Sequence, residues 1–270
     1  MVFRVIGFWG GYPAKGEAAS CYLLEEKGYH LLLDCGSGAL SRLPEYCPPG
    51  EIDSIVISHY HGDHFSDLEC FFHASLVETS LGLRKRKLFV YGPSDPENPI
   101  RLSYPGAAEG KTFNHHDKLQ LGPFSLSFFA NIHPCLSFSI KVETGRSSLV
   151  YTGDTGWHDG LPGFCRKADI LVCESSLYNT AYRKVEGHLT AGETGKLAVR
   201  AQVGLLLLTH LPHYGDHQDL IVQSREGAQR ERENQKKQES PTGIAAVQEK
   251  DFNVPKIELA REGYCWEDRF

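Results

Sequence analysis

The chain has 270 residues, 41% of them hydrophobic and 23% charged, with a formal net charge of −6. This size and balance fit one α/β sandwich with a sizeable core. They argue against a binder that holds nucleic acid on a broad basic surface, but not against a small phosphorylated substrate met by bound cations.

The first apolar run, Val2–Ile6, reads as a strand. Nothing ahead of it has the basic, apolar and cleavage regions of a secretory leader. Cys21–Leu24 and Tyr29–Leu33 flank a Lys27-Gly28 turn, a hairpin signature. A short helical segment is expected near Leu40–Tyr46, after Asp34-Cys35-Gly36-Ser37-Gly38. Ile52–Ser58 is rich in β-branched residues and reads as a strand that runs straight into a histidine cluster. Phe65, Leu68, Phe72 and Leu76 follow at helical spacing. Lys87–Tyr91 reads as a strand, and the proline- and glycine-rich stretch 92–110 as irregular.

From Lys118 the pattern returns to β, with strands expected at Phe124–Ala130, Leu136–Glu143, Ser148–Thr152 and Ile170–Cys173. Ala191–Gln202 reads as a helix with Thr190 as its N-cap, followed by a buried strand at Gly204–Leu208. Residues 224–255 stand apart. Arg225–Glu239 mixes both charges with glutamine and offers almost no apolar surface, so a solvated helix or a disordered insertion is expected there. Lys256–Leu259 and Tyr264–Trp266 read as returning β structure. The expectation is a single domain over 1–270 carrying this insertion. The eight cysteines include no CxxC pair and several lie in apolar runs, which reads as reduced thiols in a cytoplasmic protein. No apolar run reaches the ~18 residues of a membrane span.

The chemistry concentrates in His59-Tyr60-His61-Gly62-Asp63-His64, on the loop leaving a predicted strand. Three histidines and an aspartate within six residues are costly to place without partners. Imidazole and carboxylate are the donors expected for zinc and similar divalent ions. A strand-to-helix loop can aim His59 and His61 at one point, and Asp63 and His64 at a second. His133, Asp154 and His210 each fall just past the end of a predicted strand, the usual place for catalytic groups on α/β scaffolds. Alone, each reads as a structural histidine or a turn former; together they make a donor set.

This pattern resembles the metallo-β-lactamase superfamily, and within it the ribonuclease-Z-like branch, from Gly7 to His217 and again near Lys256. The resemblance implies a four-layer αββα sandwich and two divalent metal ions, with zinc the default and manganese or iron alternatives. His59, His61 and His133 would hold the first ion, and Asp63, His64 and His210 the second. Asp154 would bridge them, and Asp34 would sit beneath the metal loops. It further implies catalysis by a hydroxide shared between the metals, with Asp63 able to orient the water. His188 in Gly187-His188-Leu189-Thr190 resembles that branch's leaving-group histidine, and Glu174 the carboxylate that orients it. The loop Gly7-Phe8-Trp9-Gly10-Gly11 would lie near the substrate mouth, and a homodimer is the assembly the branch suggests.

The ribonuclease-Z arm that grips tRNA belongs between the third histidine and the bridging aspartate. Here His133 and Asp154 are only 21 positions apart (154 − 133), and strand, turn and strand fill the gap. With the acidic charge, this favours a phosphodiesterase acting on small phosphodiesters or nucleotides over a tRNA 3′-processing endoribonuclease with an RNA substrate. A lactonase or thioesterase would use the same donors. His61 argues against a flavodiiron-type redox protein, whose motif carries glutamate there. Loops 92–118 and 155–168 would set specificity. His115, His116, His158, His213 and His217 read as surface residues able to line the pocket.

Overall fold

A computed structural model of the chain describes residues 1–97, 99–239 and 254–268. Two seven-stranded sheets form its centre. The first runs in the order β14-β1-β2-β3-β4-β5-β6, built from Cys265–Glu267, Val2–Gly7, Cys21–Glu26, Tyr29–Leu33, Ser54–Val56, Leu88–Pro93 and Ala108–Phe113. The second runs β13-β12-β11-β10-β9-β8-β7, from Lys256–Leu259, Leu205–Thr209, Ile170–Glu174, Ser148–Tyr151, Phe138–Glu143, Phe124–Ala130 and Lys118–Leu121. Both sheets are mixed. In the first, β14, β1, β2 and β3 pair antiparallel and β3 to β6 parallel. In the second, β7 to β10 pair antiparallel and β10 to β13 parallel.

The period-2 alternation of strand side chains explains the layering. Tyr22, Leu24, Leu31, Leu33 and Val56 point between the sheets, where they meet Phe124, Phe138, Ile140 and Leu171 in the main core. Leu23, Leu32, Ile55 and Val90 point the other way, into a second core closed by Leu43, Phe71 and Phe72. Those last residues come from the turn after α1 (Ala39–Arg42) and from α3 (Leu68–Ser80), with α2 (Gly62–Phe65) preceding α3. α5 (Ala191–Ala201) covers the second sheet, and the short α4 (Leu161–Phe164) precedes it in the chain. β11 and β12 are buried at every residue, as parallel strands covered on both faces must be. The result is the expected αββα sandwich. Thr190 and Glu193 close a capping box on α5.

Several expectations are corrected. The helix read from Phe65 to Leu76 is two helices, α2 and α3, because the chain turns between the histidine loop and the Asp67 carboxylate that holds the Leu40 N–H. Within the supposedly irregular stretch 92–110, β6 begins at Ala108. It is an edge strand whose Ala-Glu-Gly-Lys-Thr run lacks apolar alternation. Of the two alternatives for Arg225–Glu239 the helical one is found, as part of α6 (His217–Glu239), but it is not solvated on every side. Leu220, Ser224, Ala228 and Glu231 are its buried face, at helical spacing. The remainder of the expected insertion, 240–253, lies outside the described residues. None of the eight cysteines is paired, and Cys70 and Cys265 are exposed. Among the described residues no helix is long and apolar enough to cross a membrane.

Candidate metal centre

The site forms where strand ends of both sheets meet. His59 to His64 leave β4. His133 follows β8, Asp154 follows β10 and His210 follows β12. Asp34 and His210 turn the chain with left-handed backbone (φ 60° and 52°), a conformation that costs an L-residue roughly 1–2 kcal/mol. Local strain at such positions is common at functional sites.

Two groups of donors result. In the first, His61 Nδ1 lies 3.2 Å from His59 Nε2 and 3.1 Å from His133 Nε2. Nitrogens ligating one tetrahedral zinc at ~2.0–2.1 Å sit about 3.3 Å apart. The second group is Asp63, His64, Asp154 and His210. His210 Nε2 is 3.0 Å from Asp63 Oδ2 and 3.3 Å from Asp154 Oδ2, and His64 Nε2 is 3.4 Å from Asp63 Oδ2 and from Asp154 Oδ1. Asp154 Oδ2 also faces His59 Nε2 at 3.7 Å and His133 Nε2 at 4.0 Å, so this carboxylate lies between the groups.

The outer nitrogens fix the tautomers. His64 Nδ1 is 2.7 Å from Asp34 Oδ2 and donates to it. Asp34 also accepts the Ser58 N–H (2.7 Å), the Ser58 hydroxyl (2.9 Å) and the Tyr151 hydroxyl (2.7 Å). With its hydroxyl proton committed to Asp34, Ser58 Oγ accepts from His59 Nδ1 at 3.0 Å. His133 Nδ1 donates to the Gly187 carbonyl at 2.9 Å. His210 Nδ1 donates to Ser176 Oγ at 2.7 Å, and that hydroxyl donates to Glu174 Oε2 at 2.6 Å. Each Nε2 is thereby left as a lone pair facing the cleft.

Whether a cation suits this set can be judged from what is left unsatisfied. His64 Nε2 and Asp154 Oδ1 are buried with no hydrogen-bond partner. Buried polar atoms are normally paired. Two facing imidazole nitrogens with their protons committed elsewhere repel unless a cation lies between them. The donors therefore fit divalent metal ions. The electrostatics agree. Burial opposes the charged form of His64, but Asp154 and Asp34 push its pKa up, so a cation bound there would take the place of a proton. Burial pushes the His59 and His133 imidazoles down, toward the neutral ligand form.

His188 stands at the rim. Its ring packs edge-on to His133 (5.2 Å) and stacks near His210 (5.7 Å). His188 Nδ1 is 3.1 Å from Glu174 Oε1, which also accepts the Thr155 N–H at 2.9 Å. Burial works against the charged imidazole, but Glu174 prevails and pushes it up to about 9. His188 opens onto a cleft of ≈ 990 Å³ that runs along α5 and α6 and is also lined by Trp157, Arg183 and Lys196.

The structure thus gathers all nine residues expected at the site. It adds others that the sequence did not signal. Ser58 and Ser176 hold donor tautomers, and Tyr151 holds Asp34 in place. Asn131 Nδ2 donates to the Thr152 (2.8 Å) and Asp154 (3.0 Å) carbonyls, tying the two ligand loops together. Cys135 joins the first donor group; its place two residues after His133 was the only hint. In the glycine loop, a Cβ on Gly10 would meet His210 Nδ1 at 2.6 Å, and the Gly11 N–H donates to Asp63 Oδ2 at 2.7 Å. Of the outlying histidines, His213 and His217 pack against Trp9, whereas His115 and His116 pack against each other.

An αββα sandwich with this donor arrangement at one edge defines a metallo-β-lactamase-type protein. Residues 29–211 match the model of the beta-lactamase superfamily domain, and the chain belongs to that family. It is 38% identical over 226 residues to the probable metallo-hydrolase YhfI of Bacillus subtilis, covering 83% of this chain and 93% of that one. The crystal structure of YhfI superposes with a TM-score of 0.85 at 32% identity, covering 99% of each chain. A ribonuclease Z of Methanopyrus kandleri is 26% identical over 266 residues, covering 84% of this chain and 92% of that one.

Proposed function

We propose that this chain is a metal-dependent hydrolase, and specifically a phosphodiesterase acting on small phosphodiesters or nucleotides. The observation that carries the reading is the His188–Glu174 pair, 3.1 Å apart, set beside two donor groups that share Asp154. Hydrolase chemistry agrees with the name given to YhfI, and phosphoryl chemistry with the likeness to ribonuclease Z.

His59, His61 and His133 would hold one divalent ion, and Asp63, His64 and His210 another, with Asp154 between them. Zinc suits the imidazoles best, and manganese or iron also suits mixed nitrogen and oxygen donors. When bound, such ions supply Lewis acidity and make a water nucleophile available near neutral pH. The chain's own groups do the rest. Asp63, fixed by the Gly11 N–H, orients the water and can take its proton. Glu174 binds His188 Nδ1, which fixes the ring and favours its charged form. His188 Nε2 is then free to donate a proton to the leaving oxygen.

A tRNA 3′-processing activity is disfavoured because β9 and β10 fill the space between His133 and Asp154 where the arm would be. The test is turnover of bis-p-nitrophenyl phosphate and cyclic nucleotides by metal-quantified protein. Chelation should abolish activity and added zinc or manganese restore it. Strong lactone or thioester cleavage, with no phosphodiester turned over, would replace this reading by an ester hydrolase.

A further inference from the structure

The metal site accounts for how a phosphodiester is cut, but not for what holds the rest of the molecule. Beside the site lies a three-ring stack that the chemistry above does not use. Tyr12 stacks on His213 with centroids 3.8 Å apart and planes 7° from parallel. His213 stacks in turn on Trp9 at 4.5 Å and 9°. Trp9 is braced by Phe8 at 5.2 Å and His217 at 5.5 Å.

The stack is rigidly tied to the donors. The Gly10 N–H donates to the Leu211 carbonyl (3.2 Å), and the Leu211 N–H to the Phe8 carbonyl (3.0 Å). His213 Nε2 lies 2.6 Å from the Tyr12 carbonyl. Gly11, whose N–H holds Asp63, is the residue before Tyr12, so the two Cα atoms are about 3.8 Å apart. Yet the outermost ring, Tyr12, is 61% exposed. An aromatic ring ordered from behind and open in front keeps a flat apolar face toward solvent, with little left to lose on binding. Other exposed apolar side chains also fall close to site residues in sequence: Ile132 and Leu136 flank His133, Val185 precedes His188 by three and Tyr214 follows His210 by four. Of these, Ile132 and Val185 line the cleft onto which His188 opens.

We propose that Tyr12 is the platform on which the nucleobase of a nucleotide phosphodiester stacks. A π-face meets a base of any identity, so the platform selects for a base without reading its sequence. This rests on the phosphodiesterase reading and narrows it to nucleotides.

The experiment compares wild type with Tyr12→Ala and Tyr12→Phe, each verified for metal content and melting temperature. The substrates are the 3′,5′ and 2′,3′ isomers of cyclic AMP against base-free cyclic phosphodiesters of the same ring size. Tyr12→Ala should raise KM for the nucleotides about tenfold, within the range of base stacking on an aromatic ring, with kcat unchanged. The base-free substrates should be unaffected, and Tyr12→Phe should behave as wild type. Equal changes on both substrate classes, or none on either, would overturn the proposal. If no phosphodiester is turned over at all, the phosphodiesterase reading fails. The platform is then judged by equilibrium dialysis of AMP against ribose 5-phosphate. Selective loss of AMP binding in Tyr12→Ala supports it, and unchanged AMP binding refutes it.

Discussion

The cradle beneath the metal site and the α5–α6 pair are both tightly packed, by opposite means. In the cradle, Asp34 collects four donated hydrogen bonds from Ser58, His64 and Tyr151 in a fully buried position. In the helix pair, backbone lies on backbone. A Cβ on Gly195 would meet the Ser224 carbonyl at 1.8 Å. One region spends buried polar groups to orient donors; the other omits side chains to bring helices together. Damage to the first should therefore appear as lost metal or lost rate, and damage to the second as lost stability.

Four variants sharpen or break this contrast. His188→Ala should lower kcat by about 10²–10⁴-fold while metal content and melting temperature stay at wild-type values; an unchanged rate would remove His188 from the chemistry. Asp34→Asn offers one acceptor oxygen where four donors converge. Metal affinity should fall about 10–100-fold in competition with a chelating dye, and wild-type affinity would show that the cradle does not set ligand geometry. Gly195→Ala should gain ~1 kcal/mol of helix propensity but lose more to overlap, for a net loss of about 1–2 kcal/mol. Calorimetry should find an earlier transition, with metal stoichiometry retained. A variant as stable as wild type would mean that the helices part at no cost. Ser176→Ala removes the hydroxyl between Glu174 and His210. Roughly 1 kcal/mol is at stake, seen as a severalfold weaker second metal in titration calorimetry; a change confined to the first metal would contradict the assignment.

The same contrast explains what was legible in the sequence. The metal donors announced themselves because three histidines and an aspartate within six residues have no ordinary structural use, and because His133, Asp154 and His210 each follow an apolar run that reads as a strand. The sheets were legible from alternation and β-branched residues. The packing of α6 was not. Its buried face is Leu220, Ser224, Ala228 and Glu231, and only one of these is a large hydrophobe. Gly195 and Gly227 replace apolar bulk with close approach, which periodicity of hydrophobic residues cannot register. The Arg200–Glu231 pair at 2.7 Å was equally invisible, since its partners are 31 positions apart. Ser58, Tyr151, Ser176 and Asn131 were missed for a related reason. Each is a common residue type whose role depends on a distant partner. β6 went unread because an edge strand needs no apolar alternation.

The donors are divided between the two sheets. His59, His61, Asp63 and His64 leave the first, while His133, Asp154 and His210 leave the second. Each donor group mixes the two origins, so any cation caught there is a clasp across the open edge of the sandwich. Occupancy then belongs to the architecture as well as to the reaction, because a ligand that binds only the folded form draws the equilibrium toward it. Metal starvation would loosen that open edge.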